Sequence, residues 1–300
     1  MKCSRCDAEL AANKAKCTSC GKWNATQVDG PPPAVGEGFS ADGSIPLNRV
    51  KSEEAARIQT GPWDHMWGTT VPTNGPSVSG IVQTSTTLIA GLPGAGKTTL
   101  LLQALSNYAL TLANDDEVLH IAAEQALPEI RLTADRLALD AMFQNLKRNG
   151  DSRIQMVPAL GGTANIGNIL KRRKPRLVVL DSLQGLCGKD DSAQMEVCDI
   201  VKKYAVDIKA PIIIVCQVTK EGDMAGVMTL QHHVDTTMTI APDPDLIVEE
   251  EAVRVQDIMK NRFGRAFIQQ EYVMTARGLK VYIPPEEPEE DEEDEDEDDE

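Results

Sequence analysis

Residues 86–102, TTLIAGLPGAGKTTLLL, constrain this chain more than any other stretch. A β-branched, apolar run at 86–90 enters GLPGAGKT, which fits G-x-x-x-x-G-K-[ST], and an apolar pattern of helical spacing follows. Strand, glycine-rich loop, Lys-Thr and helix in that order form the context a phosphate-binding loop needs. Gly91, Gly94 and Gly96 allow a tight turn whose N–H groups converge on phosphate oxygens. The helix that starts at the loop adds the positive end of its dipole. Gly91, Gly94, Ala95, Gly96, Lys97, Thr98 and Thr99 are therefore the expected nucleotide contacts. Lys97 is suited to neutralise β- and γ-phosphates, and the Thr98 hydroxyl to ligate Mg²⁺. A chain carrying this segment is expected to bind a nucleoside triphosphate.

The net charge of −16 misleads, because residues 286–300 are all acidic except Pro288. Without that run the chain has 32 acids against 30 bases, so no global field draws it to nucleic acid. Any DNA contact must come from local loops. No stretch has the roughly 18 uninterrupted apolar residues of a membrane span, and MKCSRCDAEL lacks the apolar core of a secretory signal. A cytoplasmic, reducing setting is expected, without disulfides and without a membrane partner.

Cys3, Cys6, Cys17 and Cys20 are spaced C-x2-C-x10-C-x2-C. Two such knuckles complete a tetrahedral four-sulfur zinc site, whereas a redox motif would use one pair near a βαβ unit. Residues 1–27 are expected to form a zinc ribbon folded by its metal, since so short a segment buries too little apolar surface alone. Residues 28–44, rich in Pro and Gly, read as a linker. Residues 45–283 form the main domain, and 284–300 an acidic tail expected to be disordered.

Within the main domain apolar strands alternate with helical patterns, which argues for βαβ units and a mainly parallel sheet. Strands are expected at 86–90, 118–122, 177–180 and 211–216, and helices at 97–113, 127–139 and 194–208. Ligands of such sheets sit beyond the carboxyl ends of the strands. Three strands there end in polar residues: Glu124, Asp181 and Gln217. A single polar strand end is ordinary, but three delivered to the edge of a phosphate loop compose a hydrolysis site. Asp181 is suited to hold Mg²⁺ through its water shell, Glu124 to take a proton from water, and Gln217 to sense the γ-phosphate. The basic run Lys171, Arg172, Arg173 and Lys174 closes a helix on the opposite edge, where cations complement the dipole. Lys220, in the segment after Gln217, is better placed for a DNA phosphate. Trp63 and Trp67 read as core residues.

Several separated segments share one resemblance. The Cys3–Cys20 ribbon running into Gly21-Lys22-Trp23-Asn24, Arg57-Ile58 with Thr60-Gly61, AGLPGAGKTTLLLQ, VVLDSLQ, VTKEGDMAG with His233-Val234-Asp235, and above all Lys260-Asn261-Arg262-Phe263-Gly264 resemble bacterial RadA (Sms) DNA-repair ATPases. The resemblance covers about residues 1–283. It implies an α/β, RecA-like P-loop ATPase core, using ATP, Mg²⁺ and Zn²⁺, assembled as a homohexameric ring on single-stranded and branched DNA. It further implies that Lys260 and Arg262 reach the nucleotide of a neighbouring subunit. The implied activity is DNA-dependent ATP hydrolysis that drives translocation, branch migration or helicase-type remodelling, in company with a recombinase or single-strand-binding protein. A non-translocating, ATP-switched mediator and a KaiC-like signalling ATPase are the alternatives. The chain departs from the family pattern in having Cys216-Gln217 where the family has Gly-His, and an acidic tail where the family has a Lon-protease-like domain. That arrangement suggests a protein of a bacterial cytoplasm, encoded by the bacterium or by a phage.

Overall fold

The computed structural model describes residues 56–70, 76–158, 163–188, 190–218, 228–248 and 251–284. The proposed zinc ligands Cys3, Cys6, Cys17 and Cys20, the linker, Lys220 and the acidic tail lie outside the described residues.

Two short ribbons begin the described chain: β1 (Arg57–Ile58) pairs with β4 (Ile81–Val82), and β2 (Thr69–Thr70) with β3 (Val78–Ser79). Then follow β5 (Thr86–Gly91), α1 (Lys97–Thr111), β6 (Val118–Ala122), α2 (Leu127–Leu137), β7 (Ile154–Pro158), α3 (Thr163–Arg173), β8 (Val178–Asp181), α4 (Leu183–Cys187), α5 (Asp191–Ile208) and β9 (Ile212–Gln217). The chain closes with β10 (Thr236–Val248), β11 (Glu251–Asn261), β12 (Gln269–Thr275) and β13 (Gly278–Val281).

Nine strands make one sheet in the order β13-β12-β11-β10-β5-β9-β8-β6-β7. From β10 to β7 all neighbours are parallel, while β10 to β13 form an antiparallel meander. The central strands TTLIAG, IIIVCQ, VVLD and VLHIA are almost wholly buried. Continuous apolar runs are what strands covered on both faces require. Successive side chains alternate between two core layers. Ile89, Val179, Ile213 and Val215 pack with Leu100, Leu101 and Leu105 of α1, and Leu88, Leu180, Ile212 and Ile214 pack with Leu170 of α3 and Val197 and Val201 of α5. Trp63 and Trp67 are buried, as their sequence context suggests, and Trp63 meets Tyr272 edge-on with ring centroids 6.5 Å apart.

The expected helix ends shift by a few residues for local reasons. The helix expected to reach 139 stops at Leu137, because Ala138 turns left-handed with φ 50°. The one expected from 194 begins at Asp191, since the Asp190 carboxylate accepts hydrogen bonds from the N–H groups of Ser192 and Ala193. The strands β7 and β10 to β13 were not legible. Pro242 and Pro244 interrupt the β10 pattern, yet that stretch lies beyond the residues paired to β5 and beside a register shift, where proline costs no central ladder bond.

The basic run has a structural use. Arg173 donates to both carboxylate oxygens of Glu117, at 2.5 and 3.0 Å, and Lys147 donates to the same carboxylate. Lys171 lies over the Tyr204 ring at 5.5 Å. Burial alone would push the Glu117 carboxyl up, but the hydrogen bonds from Arg173 and Lys147 hold it below its ordinary value. Glu117→Ala leaves both cations facing a half-buried void. It is expected to cost about 2–3 kcal/mol, between a surface and a fully buried pair, read as a lowered denaturation midpoint at unchanged m-value.

Candidate active site

β5 ends at Gly91 and α1 starts at Lys97, so residues 92–96 form the turn between them. Gly94 and Gly96 hold φ of 80° and 100°, the left-handed region that excludes most side chains. Gly91 answers a different need: a Cβ there would lie 2.3 Å from the Ile240 carbonyl oxygen of the adjacent β10. No side chain caps the start of α1, so its first N–H groups remain available to an anion. Ala95 is buried beneath the turn.

Lys97 is also buried, and its ammonium donates to the Gly91 and Leu92 carbonyls at 2.7 and 2.8 Å. Burial lowers its pKa from the ordinary lysine value, although Asp181 and Glu124 oppose the shift. The Thr98 hydroxyl donates to Oδ2 of Asp181 at 2.9 Å. Asp181, the last residue of β8, is buried. That desolvation would raise its carboxyl, but the neighbouring His120, Thr98 and Lys97 hold it below the usual value. Gln217, the last residue of β9, donates through Nε2 to Glu124 Oε1 from just beyond β6. The P-loop residues Gly94, Gly96, Lys97, Thr98 and Thr99 thus meet Glu124, Asp181 and Gln217 around one cavity of about 810 Å³.

Other contributors are residues to which the sequence analysis assigned no role. Gln184 in α4 donates to the Gln217 carbonyl at 3.0 Å and accepts from the Gln217 N–H at 3.1 Å, gripping the strand end from both sides. Gly185 lets α4 approach the turn before Glu124, where a Cβ would meet the Ala123 carbonyl oxygen at 2.6 Å. The far wall comes from α2 (Thr133 and Arg136), β11 (Glu251 and Arg254), the end of β12 (Met274 and Thr275) and Ala276 in the turn after it. Those residues lie far apart in the chain: α2 follows β6, and the meander brings the others to the P-loop.

Lys260 and Arg262 are not at this cavity. Asn261 pairs with Thr236, which pairs with Thr87 near the start of β5. The KNRFG turn therefore sits at the opposite sheet edge, on the order of 15 Å from the P-loop by strand rise. A dense set of contacts holds the turn. Arg57 donates to the carbonyls of Phe263 and Gly80 at 2.5 and 2.6 Å, and Asn261 donates to the Trp67 carbonyl at 3.1 Å. Gly264 abuts Gly68 so closely that a Cβ would lie 2.6 Å from the Gly68 Cα. Lys260 donates to the carbonyls of Gln231 and Val234 at 2.5 and 2.9 Å. Arg262, half-exposed, pairs with Asp235 at 3.2 Å. His233 binds Asp199 at 2.8 Å. Among the described residues no group of His, Cys, Asp and Glu is arranged to hold a metal by protein ligands alone.

The arrangement is that of a RecA-like P-loop fold: a mainly parallel sheet with a glycine-rich turn at the carboxyl end of a central strand. AAA-domain sequences match residues 55–223. The chain belongs to the AAA domain family. It is similar to the DNA repair protein RadA of Pseudomonas aeruginosa, with 30% identity over 93% of this chain and 58% of that protein. It is similar also to RadA of Brucella abortus, at 29% over 95% of this chain and 60% of that protein. The chain therefore spans about three-fifths of the length of these relatives. In structure it is similar to a KaiC-like protein from the archaeon Pyrococcus horikoshii, with TM-score 0.59 and 17% identity over 76% of this chain and all of that one. That likeness concerns the fold alone. No helix of the described residues is long and apolar enough to cross a membrane.

Asp235 anchors the KNRFG edge to the first residue of β5 and yields a test. Its buried carboxylate accepts from the Thr86 N–H and hydroxyl, both at 3.0 Å, and pairs with Lys202 and Arg262 at 3.0 and 3.2 Å. Burial would raise its pKa, yet these partners depress it. A depressed folded value stabilises above the unfolded value near 4 and ceases to do so as pH falls through the folded value. Asp235→Asn turns an amide against two cations and should cost about 2–3 kcal/mol at neutral pH. Denaturation curves of parent and variant should converge below about pH 4.

Proposed function

We propose that this chain is a DNA-dependent ATPase that moves on single-stranded DNA and promotes branch migration or helicase-type remodelling of branched DNA. The observation that carries the proposal is the separation of the two halves of the chemistry. The P-loop cavity holds Lys97, Thr98, Glu124, Asp181 and Gln217, while the two KNRFG cations stand on the opposite sheet edge. On this reading the KNRFG cations, too far from their own cavity to serve it, are presented to the cavity of a second copy, which would make a ring of like subunits. The similarity to RadA proteins, whose name records a role in DNA repair, supports DNA as the track.

The residues present fit a nucleoside triphosphate with magnesium. The turn has left-handed glycines and an uncapped helix start, the lysine is buried with only backbone carbonyls as partners, and a hydroxyl is paired with an acid at strand end. Thr98 and Asp181 would hold Mg²⁺, which supplies charge neutralisation at the β- and γ-phosphates. Lys97 would exchange its carbonyl contacts for phosphate oxygens, strengthened by the low local dielectric. Glu124 would take the proton of the attacking water. Gln217 donates to Glu124 and leads directly into the segment that holds Lys220, so a change at the γ-phosphate has a short covalent route to a DNA contact. A zinc ribbon on Cys3, Cys6, Cys17 and Cys20 would add a second DNA-remodelling module, and a recombinase or single-strand-binding protein would be the working partner. The setting is the cytoplasm.

Glu124→Gln should retain ATP binding and lose turnover by about 10²–10⁴-fold, the usual scale of general-base catalysis. A parental rate would remove Glu124 from that role. Lys97→Ala and Arg262→Ala should each be inactive alone in DNA-stimulated ATP hydrolysis and in displacement of a strand from a forked duplex. Mixed after subunit exchange, they should regain both activities, because some interfaces then pair an intact P-loop with an intact arginine. Absence of recovery despite demonstrated exchange counts against the contribution in trans. ATP-dependent DNA binding without displacement by the unmutated protein would mark a non-translocating mediator.

A further inference from the structure

We propose that His120 is a positioning residue for Asp181: its Nε2–H holds Oδ2 of that carboxylate and leaves Oδ1 open to the cavity and a metal's water shell. The proposal rests on Asp181 serving the magnesium ion.

His120 is the middle residue of β6, VLHIA, and is wholly buried. It stands in register with Val179, whose side chain packs in the core layer beneath α1. Every other residue of β6 is apolar, and an apolar side chain would fill this place without a desolvation cost. A buried imidazole without a partner loses about 1–3 kcal/mol, so its presence calls for a polar contact. Neither ring nitrogen completes a hydrogen bond among the described residues. The polar atom in position to complete one is Asp181 Oδ2, 3.5 Å from Nε2. Closing that gap to an ordinary hydrogen bond takes about half an ångström, well within the adjustment of a carboxylate rotating about its own bond.

The same oxygen already accepts from the Thr98 hydroxyl at 2.9 Å. Two donors on Oδ2, one from the P-loop helix and one from the neighbouring strand, fix the plane of the carboxylate. A freely rotating carboxylate would present either oxygen to the cavity, whereas a clamped one presents Oδ1 alone. The histidine thus does for the acid what outer partners do for metal ligands in general, where their loss costs about 10–100-fold in metal affinity or activity. Burial opposes ionisation of Asp181, and His120 is foremost among the contacts that offset it, which agrees with a donor facing the carboxylate.

The test uses the full chain and three variants: His120→Phe, His120→Gln and Asp181→Asn. Two readouts are taken, the Mg²⁺ concentration giving half-maximal ATP hydrolysis and direct Mn²⁺ binding to the nucleotide-loaded protein. His120→Phe should raise both midpoints about tenfold while magnesium-free ATP binding and the melting temperature stay at parental values. In His120→Gln the amide nitrogen reaches the place of Nε2, and both midpoints should stay within about threefold of the parent. A folded His120→Phe protein with parental midpoints overturns the proposal, provided Asp181→Asn shifts them. Parental midpoints in Asp181→Asn overturn the metal reading and the proposal together. Nitrogen-15 spectra of the unmutated protein decide the matter even if the phenylalanine variant fails to fold. The chain has four histidines, and the His120 ring is assigned as the signal lost in His120→Gln. The proposal requires the Nε2-protonated tautomer; the Nδ1-protonated one, with a bare Nε2 against the carboxylate, overturns it.

Discussion

The Asp235 carboxylate fixes the amino end of β5, and the placement of the whole molecule's chemistry follows from β5. One oxygen takes both donors of Thr86, the first residue of the strand, and the other faces Lys202 of α5 and Arg262 of the KNRFG turn. Backbone bonds repeat the tie, since the Asp235 N–H donates to the Thr86 carbonyl and the Arg262 N–H to the Asp235 carbonyl. A buried charge is tolerated only when its partners are this complete. Four elements therefore share one anchor, and a displacement at any of them is felt by the strand that ends in the phosphate-binding turn.

From that anchor the sheet carries two kinds of chemistry to two edges. Parallel strands all release their chains at the same edge, so β5, β6, β8 and β9 deliver the P-loop, Glu124, Asp181 and Gln217 to one cavity. The antiparallel meander reverses the direction of β11, so its last residues emerge beside the beginning of β5. A single chain with this topology separates its P-loop from its KNRFG cations by the length of a strand. The reading in trans grows from that geometric fact.

Within the cavity the catalytic side chains are tied to one another or to backbone. Lys97 rests on two carbonyls, Thr98 on Asp181, and Gln217 on Glu124, with Gln184 holding the Gln217 backbone. His120, like Nε of Arg254 in the cavity wall, is a buried polar group whose hydrogen bond is not completed among the described residues.

The sequence by itself determined the four central parallel strands of the sheet and the residues at their carboxyl ends. Apolar runs buried on both faces leave few alternatives to central strands, and a glycine-rich loop between strand and helix has one dominant use. Hence β5, β6, β8 and β9 were legible, and with them Glu124, Asp181 and Gln217 at their ends. Only the tertiary structure decided the rest, because those contacts are made between residues remote in the chain. The meander strands mix polar and apolar residues, and β10 carries two prolines, so the pairing of β11 follows from the edge that β10 offers rather than from its own pattern. Arg136 and Arg254 join the cavity through chain reversals that no local spacing encodes. Gly91 and Gly264 carry glycine for close approach to Ile240 and Gly68, a reason visible only once two backbones stand side by side. His120 is one polar residue in an apolar strand, and only the pairing of β6 with β8 places it near the carboxylate of Asp181.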